Sequence, residues 1–496
     1  MIKIFADKVE KKLKNFWNDI VFHPTDAIED EWGQQYLNKI AEDKAANAIR
    51  IYTIFEEMVK QNENGELEFD FTKNDYRIDY LLSKGFTPFI AYTFIPQWLA
   101  AEDDPALIGK RYKGNVLVRS YPKNYQTWGE ICRRYTEHIV ERYGLETVSK
   151  WKLHCYNEPD LHHFFYRKAK DNYTRAMAYS KMYEEFANAC VSVSDKLTIG
   201  GPALAESEKN FEFLEFFLNY VKEKNLKIDF ISFHSYGTFP ELIEDKTKPI
   251  DVRGAIFNTT NVAQVAKLCG FGHLPLVCDE WGAVTEGYLD KSRVPEMEFR
   301  ENELYSAYFA RMLIMFDELK LPYDEMMICL SGQHNLKGDM LGNRNFFSKS
   351  FYPKPIYNAY VLSNKLGSEK LFFYTDLKEE HVAVMPSKHE DGHISVLLCY
   401  ADDAFNLDLP NVTFDINFSG IEREYKVKYS VIDKTNANCY TKFLELGSPQ
   451  DASEEVKDVI RKAGELKYED FGVVTPENPN VTLTMTNNAV VLIELF

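Results

Sequence analysis

Eight short β-prone runs alternate with stretches of helical spacing between residues 17 and 367, and that rhythm leaves few architectures open. The runs are Trp17–His23, Ala46–Tyr52, Phe86–Phe94, the run from Trp151 that stops at Asn157-Glu158-Pro159, Lys196–Gly200, Ile228–His234, Leu274–Trp281 and Glu325–Ser331. Helical periodicity occupies about 32–45, Asp75–Lys84, Tyr125–Tyr143, Asn172–Val193, Glu301–Leu319 and Asn358–Leu366, with Gly367 placed as a C-terminal cap. Strands that alternate with helices pair in parallel, and eight of them close into a (β/α)8 barrel of roughly 250 residues or more.

From about residue 370 the texture changes. Ile394–Tyr400, Val412–Phe418 and Tyr425–Val431 alternate and are separated by Asp, Asn, Gly and Pro clusters, with one helical insert at about 452–465. That is the pattern of an all-β sandwich. The expected fold class is therefore α/β, a (β/α)8 TIM barrel over 17–367 followed by an all-β sandwich domain over 368–496. The strand-like lead-in 1–16 is a candidate to join the sandwich. No flexible linker separates the two, so they are expected to pack directly.

Two of the eight runs end in glutamate. Proline cannot donate to a β ladder and restricts the residue before it, so Pro159 ends the fourth strand on Asn157 and Glu158. The seventh ends Cys278-Asp279-Glu280-Trp281. Strand C-terminal ends are where such barrels keep their chemistry. A carboxylate pair across the mouth suits glycoside hydrolysis, in which one acid protonates the leaving oxygen and the other attacks or activates water. Arg50 and Tyr236 are candidate hydrogen-bond donors to the carboxylate that must stay ionised. Asn157 is a candidate contact for a sugar 2-hydroxyl. His234 and Tyr236, two apart on one strand, point the same way and line a pocket. Trp281, Trp98 and Phe94 offer flat faces for a sugar ring, Trp281 foremost.

Composition excludes several classes. A net charge of −18 and a pI near 5.2 repel nucleic acid and anionic membrane alike. The eight cysteines are scattered without CxxC pairs, and read as buried free thiols. His162 and His163 are adjacent on one loop and do not supply three or four convergent ligands, so neither metal nor cofactor is expected. Met1–Lys12 has no apolar signal-peptide core, and no later segment approaches the roughly 18 apolar residues of a membrane span. A cytoplasmic location follows as the expectation.

Further pieces have a common pattern: Phe86-x-Pro88-Phe89 with Pro96-x-x-Leu99-Ala100, Tyr121-Pro122-Lys123-x-Tyr125-x-x-Trp128 and Glu141-Arg142-Tyr143-Gly144. The pattern continues through Asn157-Glu158-Pro159-Asp160-Leu161, Gly200-Gly201-Pro202, Phe233-His234-Ser235-Tyr236, Asp279-Glu280-Trp281 and Lys354-Pro355-x-Tyr357-Asn358-Ala359-Tyr360. Ile432-Asp433 to Asn438 and Gly447-Ser448-Pro449 extend it into the second domain. Together they resemble glycoside hydrolase family 39, the β-xylosidase and α-L-iduronidase family of clan A.

The resemblance implies Glu158 as acid/base, Glu280 as nucleophile, Asn157 as the 2-hydroxyl contact, and His234 with Tyr236 as pocket residues. It also exposes three departures at positions that would face substrate. Tyr52 stands two residues after Arg50 where xylosidases of the family typically carry His. Ser331-Gly332-Gln333-His334-Asn335 replaces an aromatic-rich segment, which makes Gln333 a candidate substrate contact. Phe164-Phe165 stands where Phe-Trp is usual.

The expected activity is that of a retaining exo-glycosidase on plant-type oligosaccharides or small glycosides, a β-xylosidase first. Arabinose-containing and uronic acid glycosides are the alternatives within the family, and a catalytically inactive sugar-binding barrel is the alternative outside it. A homo-oligomer is left open.

Overall fold

The computed structural model describes the chain apart from residues 103, 111, 115, 207–208, 239–249, 285–289 and 332–335. At its centre eight parallel strands form a closed barrel: Asp19–Phe22, Ala48–Tyr52, Thr87–Tyr92, Lys152–Cys155, Thr198–Leu204, Phe230–Thr238, Leu276–Val284 and Tyr323–Leu330. Each pairs with its successor in sequence, and the eighth returns to the first, Met327 beside Asp19 and Leu330 beside Phe22. The strands are buried along nearly their whole length because helices cover them outside and side chains fill them inside. Val21, Ala48, Phe89, Ala91, Phe230, Val277 and Met327 form that inner layer, the floor beneath the strand ends.

Helices Tyr125–Tyr143 and Asn172–Val193 show why the rhythm was readable. Asn124 and Asp171 each accept a backbone N–H from their third following residue, Thr127 and Thr174. The last barrel helix, Pro355–Ser363, ends four residues before Gly367, which does not cap it. Gly367 instead runs against the backbone of Lys388, where an added Cβ would lie 2.3 Å from the carbonyl carbon.

The second layer is a nine-stranded mixed sheet. Its strand order is Glu469–Val474, Tyr425–Ile432, Ala489–Leu495, Ile394–Tyr400, Val382–Lys388, Glu369–Thr375, Ile2–Lys12, Val412–Ser419 and Asn480–Met485. Ile416 and Leu483 from one end of that order share a buried core with Val427 and Val474 from the other, so the sheet folds over itself as a sandwich. The lead-in belongs to it: Ile2–Lys12 pairs antiparallel with Glu369–Thr375 and parallel with Val412–Ser419. Barrel and sandwich meet along helix Glu303–Glu318, where Asp317 pairs with Lys11 at 2.7 Å and Arg311 with Asp403 at 2.9 Å.

The insert in the sandwich forms helices Cys439–Glu445 and Glu454–Ala463 and folds back on the barrel. Asn358 donates to the carbonyls of Ala437 and Gly464, and Gln450 brackets Asp339 in the segment after the eighth strand. Among the described residues no helix is long and apolar enough to cross a membrane.

Candidate active site

The fourth strand ends at Cys155, and the chain then turns sharply. Tyr156 and Glu158 adopt left-handed backbone conformations, φ 68° and 52°. For residues with a Cβ this costs of order 1–2 kcal/mol each and persists only where the surroundings impose it. Here they do. Glu158 N donates to Ala203 O at 3.0 Å, and the Asp160 carboxylate accepts Ala205 N and Glu206 N at 2.9 Å and the Asn210 amide at 3.0 Å. The loop carrying Glu158 is thereby fixed to the loop after strand five.

Strand seven carries a bulge. Phe233 faces Cys278 but His234 faces Glu280, which leaves Asp279 as an extra residue. Bulges re-aim side chains beside active sites. Both acids consequently reach the barrel interior. Asp279 lies 3.3 Å from Arg50 Nη2 and 3.7 Å from Nε2 of both His154 and His234, and Glu280 stands above it.

Arg50 organises the centre. Fully buried, it donates through Nη1 to Glu280 Oε1 at 2.7 Å, through Nη2 to Asn157 Oδ1 at 2.6 Å and through Nε to His154 Nε2 at 3.2 Å. Two tyrosines bracket the same carboxylate, Tyr52 OH donating to Oε1 and Tyr236 OH to Oε2, each at 2.9 Å. Behind Tyr236, Arg344 Nη1 donates to its hydroxyl at 3.1 Å. Across the cleft His234 Nδ1 lies 3.0 Å from Glu158 Oε1 and 3.7 Å from Glu280 Oε2. One oxygen of each glutamate falls within 4.8 Å of the other's.

The two glutamates are driven apart electrostatically. Burial alone would raise Glu280, but the charge of His234, then of Arg50 and Arg344, and the Tyr236 hydroxyl outweigh it and hold the carboxyl well below its usual range. Glu158 goes the other way: burial raises it, and the bond and charge of His234 offset this only in part while Glu280 adds to it. Burial would lower His234, yet Glu280, the bond to Glu158, and Asp279 push it up to about 9. His154 is held well below the ordinary value by burial and by Arg50, so it is neutral and accepts the Arg50 bond.

The structure thus gathers Arg50, Tyr52, Asn157, Glu158, His234, Tyr236 and Glu280 in one cleft. Phe94 adjoins it, its ring stacked at 6.1 Å on that of Tyr52. Trp281 is a correction. It is 1% exposed, stacked on Phe309 at 5.7 Å and on Tyr308 at 6.3 Å, with its indole N–H donated to Tyr360 OH. Successive residues on a strand face opposite sides, so with Glu280 inward Trp281 points into the helix layer and offers no sugar platform. Gln333 lies outside the described residues.

Asp279 and Arg344 are parts of the cluster that the sequence did not identify. The bulge has no local signature, and Arg344 sits in the aperiodic segment between strand eight and the last helix. That segment is held by Lys354, which pairs with Glu301 at 2.8 Å in full burial, while Glu301 accepts Gly342 N and Arg300 donates to Gly342 O.

All eight cysteines are buried free thiols. Among the described residues Glu158, His234 and Glu280 have the spacing of metal ligands. The proton that the neighbouring carboxylates hold on His234 opposes ligation there, because an imidazole must be neutral to bind a metal.

This geometry stands beside three comparisons. A beta-xylosidase of Caldicellulosiruptor saccharolyticus is 27% identical over 500 residues, covering 98% of this chain and 96% of that protein. One of Geobacillus stearothermophilus is 25% identical over 467 residues, covering 87% and 82%. A monomeric beta-xylosidase from Caulobacter crescentus CB15 shares the fold with a TM-score of 0.82, at 21% identity over 100% of this chain and 99% of that one. The model of glycosyl hydrolases family 39 matches residues 1–476, through barrel and sandwich alike, and the chain belongs to that family as a glycoside hydrolase acting on carbohydrate.

Proposed function

We propose that the protein is a retaining exo-glycosidase that releases terminal xylose from β-xylosides, with Glu280 as nucleophile and Glu158 as acid/base. The observation that carries this is the pair itself: carboxylate oxygens within 4.8 Å of each other in environments that push one acid toward the anion and the other toward the protonated form. Retaining enzymes need carboxylates about 5–5.5 Å apart, and inverting ones need roughly 6.5–9.5 Å to admit a water.

In the first step the proton shared by Glu158 and His234 passes to the leaving oxygen while Glu280 bonds to the anomeric carbon and the glycosidic C–O bond breaks, releasing the aglycone as an alcohol. In the second, water attacks that carbon, gives its proton to Glu158 and releases Glu280. Arg50 binds Asn157 through Oδ1, so the amide presents its NH2 end to the sugar 2-hydroxyl, a contact that strengthens in the transition state. The two beta-xylosidase relatives support xylose as the glycone.

Nitrophenyl glycosides of xylose, both arabinose ring forms, galactose and glucuronic acid test the reading. Turnover is expected on the β-xyloside, with inversion-free product stereochemistry by NMR; silence on every pentoside contradicts it. One observation favours a uronic acid glycone as a second reading: the Arg344 guanidinium stands one hydroxyl away from Glu280. The glucuronide arm decides that. An inactive sugar-binding barrel would have no need to displace the pKa values of two glutamates in opposite directions.

A further inference from the structure

Glu280 has two unlike oxygens. Oε2 accepts the Tyr236 hydroxyl at 2.9 Å and is turned toward the acid, since His234 Nδ1 reaches it at 3.7 Å while bonding Glu158 at 3.0 Å. Oε1 is pinned from the other side by Arg50 Nη1 at 2.7 Å and Tyr52 OH at 2.9 Å. Arg50 Nη1 also donates to the Tyr52 hydroxyl at 3.3 Å, which leaves the phenol proton to point at Oε1. The Tyr52 ring is 3% exposed and fixed between His23, edge-on at 6.0 Å, and Phe94, and its backbone N–H is bonded to Thr25 Oγ1.

From this we infer that Tyr52 is a positioning residue of the second chemical step: it clamps the non-attacking oxygen of Glu280 and makes Glu280 a better leaving group from the glycosyl-enzyme. The inference rests on the assignment of Glu280 as nucleophile and goes beyond the expectation that Tyr52 touches sugar. When Oε2 bonds to the anomeric carbon, Oε1 becomes the carbonyl oxygen of a glycosyl ester. When water's oxygen bonds to that carbon and its proton passes to Glu158, the bond to Oε2 breaks and its electron pair restores the carboxylate. A phenol donates more strongly to a carboxylate than to an ester carbonyl. Tyr52 therefore stabilises the free carboxylate more than the ester, which retards attack and speeds release. Arg50 acts in the same sense, but it also binds Asn157 and Asp279, so Tyr52 is the separable donor.

The test is Tyr52→Phe, labelled in parallel with the wild type by 2,4-dinitrophenyl 2-deoxy-2-fluoro-β-xyloside. Titration with this reagent counts functional sites, so a partly folded preparation still yields a rate per site. The adduct is expected on the Glu280 peptide in both proteins by mass spectrometry, with reactivation about tenfold slower in the variant, the scale of one charge-assisted hydrogen bond. On nitrophenyl xyloside kcat and KM are expected to fall together, so that kcat/KM moves by less than about threefold. Equal reactivation rates, or a loss in kcat/KM as large as that in kcat, overturn the role assigned to Tyr52. No adduct on Glu280 in the wild type overturns instead the nucleophile assignment beneath it.

Discussion

Arg50 and Glu280 form a buried ion pair of 2.7 Å, 230 residues apart in sequence and three strands apart around the barrel mouth. Asp279 shares the same guanidinium at 3.3 Å. Arg50→Met takes from two buried carboxylates the cation nearest to them, and removing one partner of a buried pair costs about 3–5 kcal/mol. Urea denaturation is expected to show that loss, accompanied by a fall in kcat/KM.

The pH dependence of stability has a definite sign at His234. Burial lowers its pKa, but Glu280, Glu158 and Asp279 outweigh burial and push it up to about 9 in the folded protein, above the ordinary 6.5. A raised pKa means stabilisation that is full below about 6.5 and is lost as pH rises through about 9. Glu280 works oppositely: its depressed pKa stabilises above the usual carboxylate range and the contribution is lost on acidification. Unfolding free energy measured against pH is expected to decline between 6.5 and 9, and His234→Asn to flatten that slope.

Arg344 acts on Glu280 through Tyr236 and by its charge, after His234 and Arg50 in the set that opposes burial. Arg344→Gln is expected to raise the acidic limb of the kcat/KM profile, because Glu280 then ionises less readily. The accompanying loss of kcat/KM is about tenfold, the worth of one hydrogen bond in a dry site.

Trp281 is expected to matter to folding and not to sugar binding. Trp281→Ala empties a large buried volume, at a cost of about 3–5 kcal/mol in denaturation. KM for the folded fraction is expected to stay within about twofold of wild type, since the indole belongs to the helix layer.

The barrel was legible because its strands are covered on both faces and so read as apolar runs, with Asn124 and Asp171 marking helix starts between them. Glu158 and Glu280 could be found from strand ends alone. Trp281 misled because an aromatic beside a candidate glutamate suggests a sugar platform, although strict alternation from Glu280 already turns it outward. Asp279 was hidden by a bulge, which depends on strand six as much as on strand seven. Arg344 was hidden for another reason: its position comes from Lys354, Glu301 and Arg300 gripping the Gly342 turn, and no periodicity in the sequence announces such a grip.

The most direct measurement is azide rescue of Glu280→Gly and Glu158→Gly with an activated aryl xyloside, the products identified by NMR. Glu280→Gly is expected to be nearly inactive, with azide restoring turnover to a xylosyl azide of inverted configuration, whereas Glu158→Gly is expected to yield the azide of retained configuration. Near wild-type hydrolysis by Glu280→Gly without azide, or the two configurations exchanged between the variants, would contradict the roles of the two glutamates.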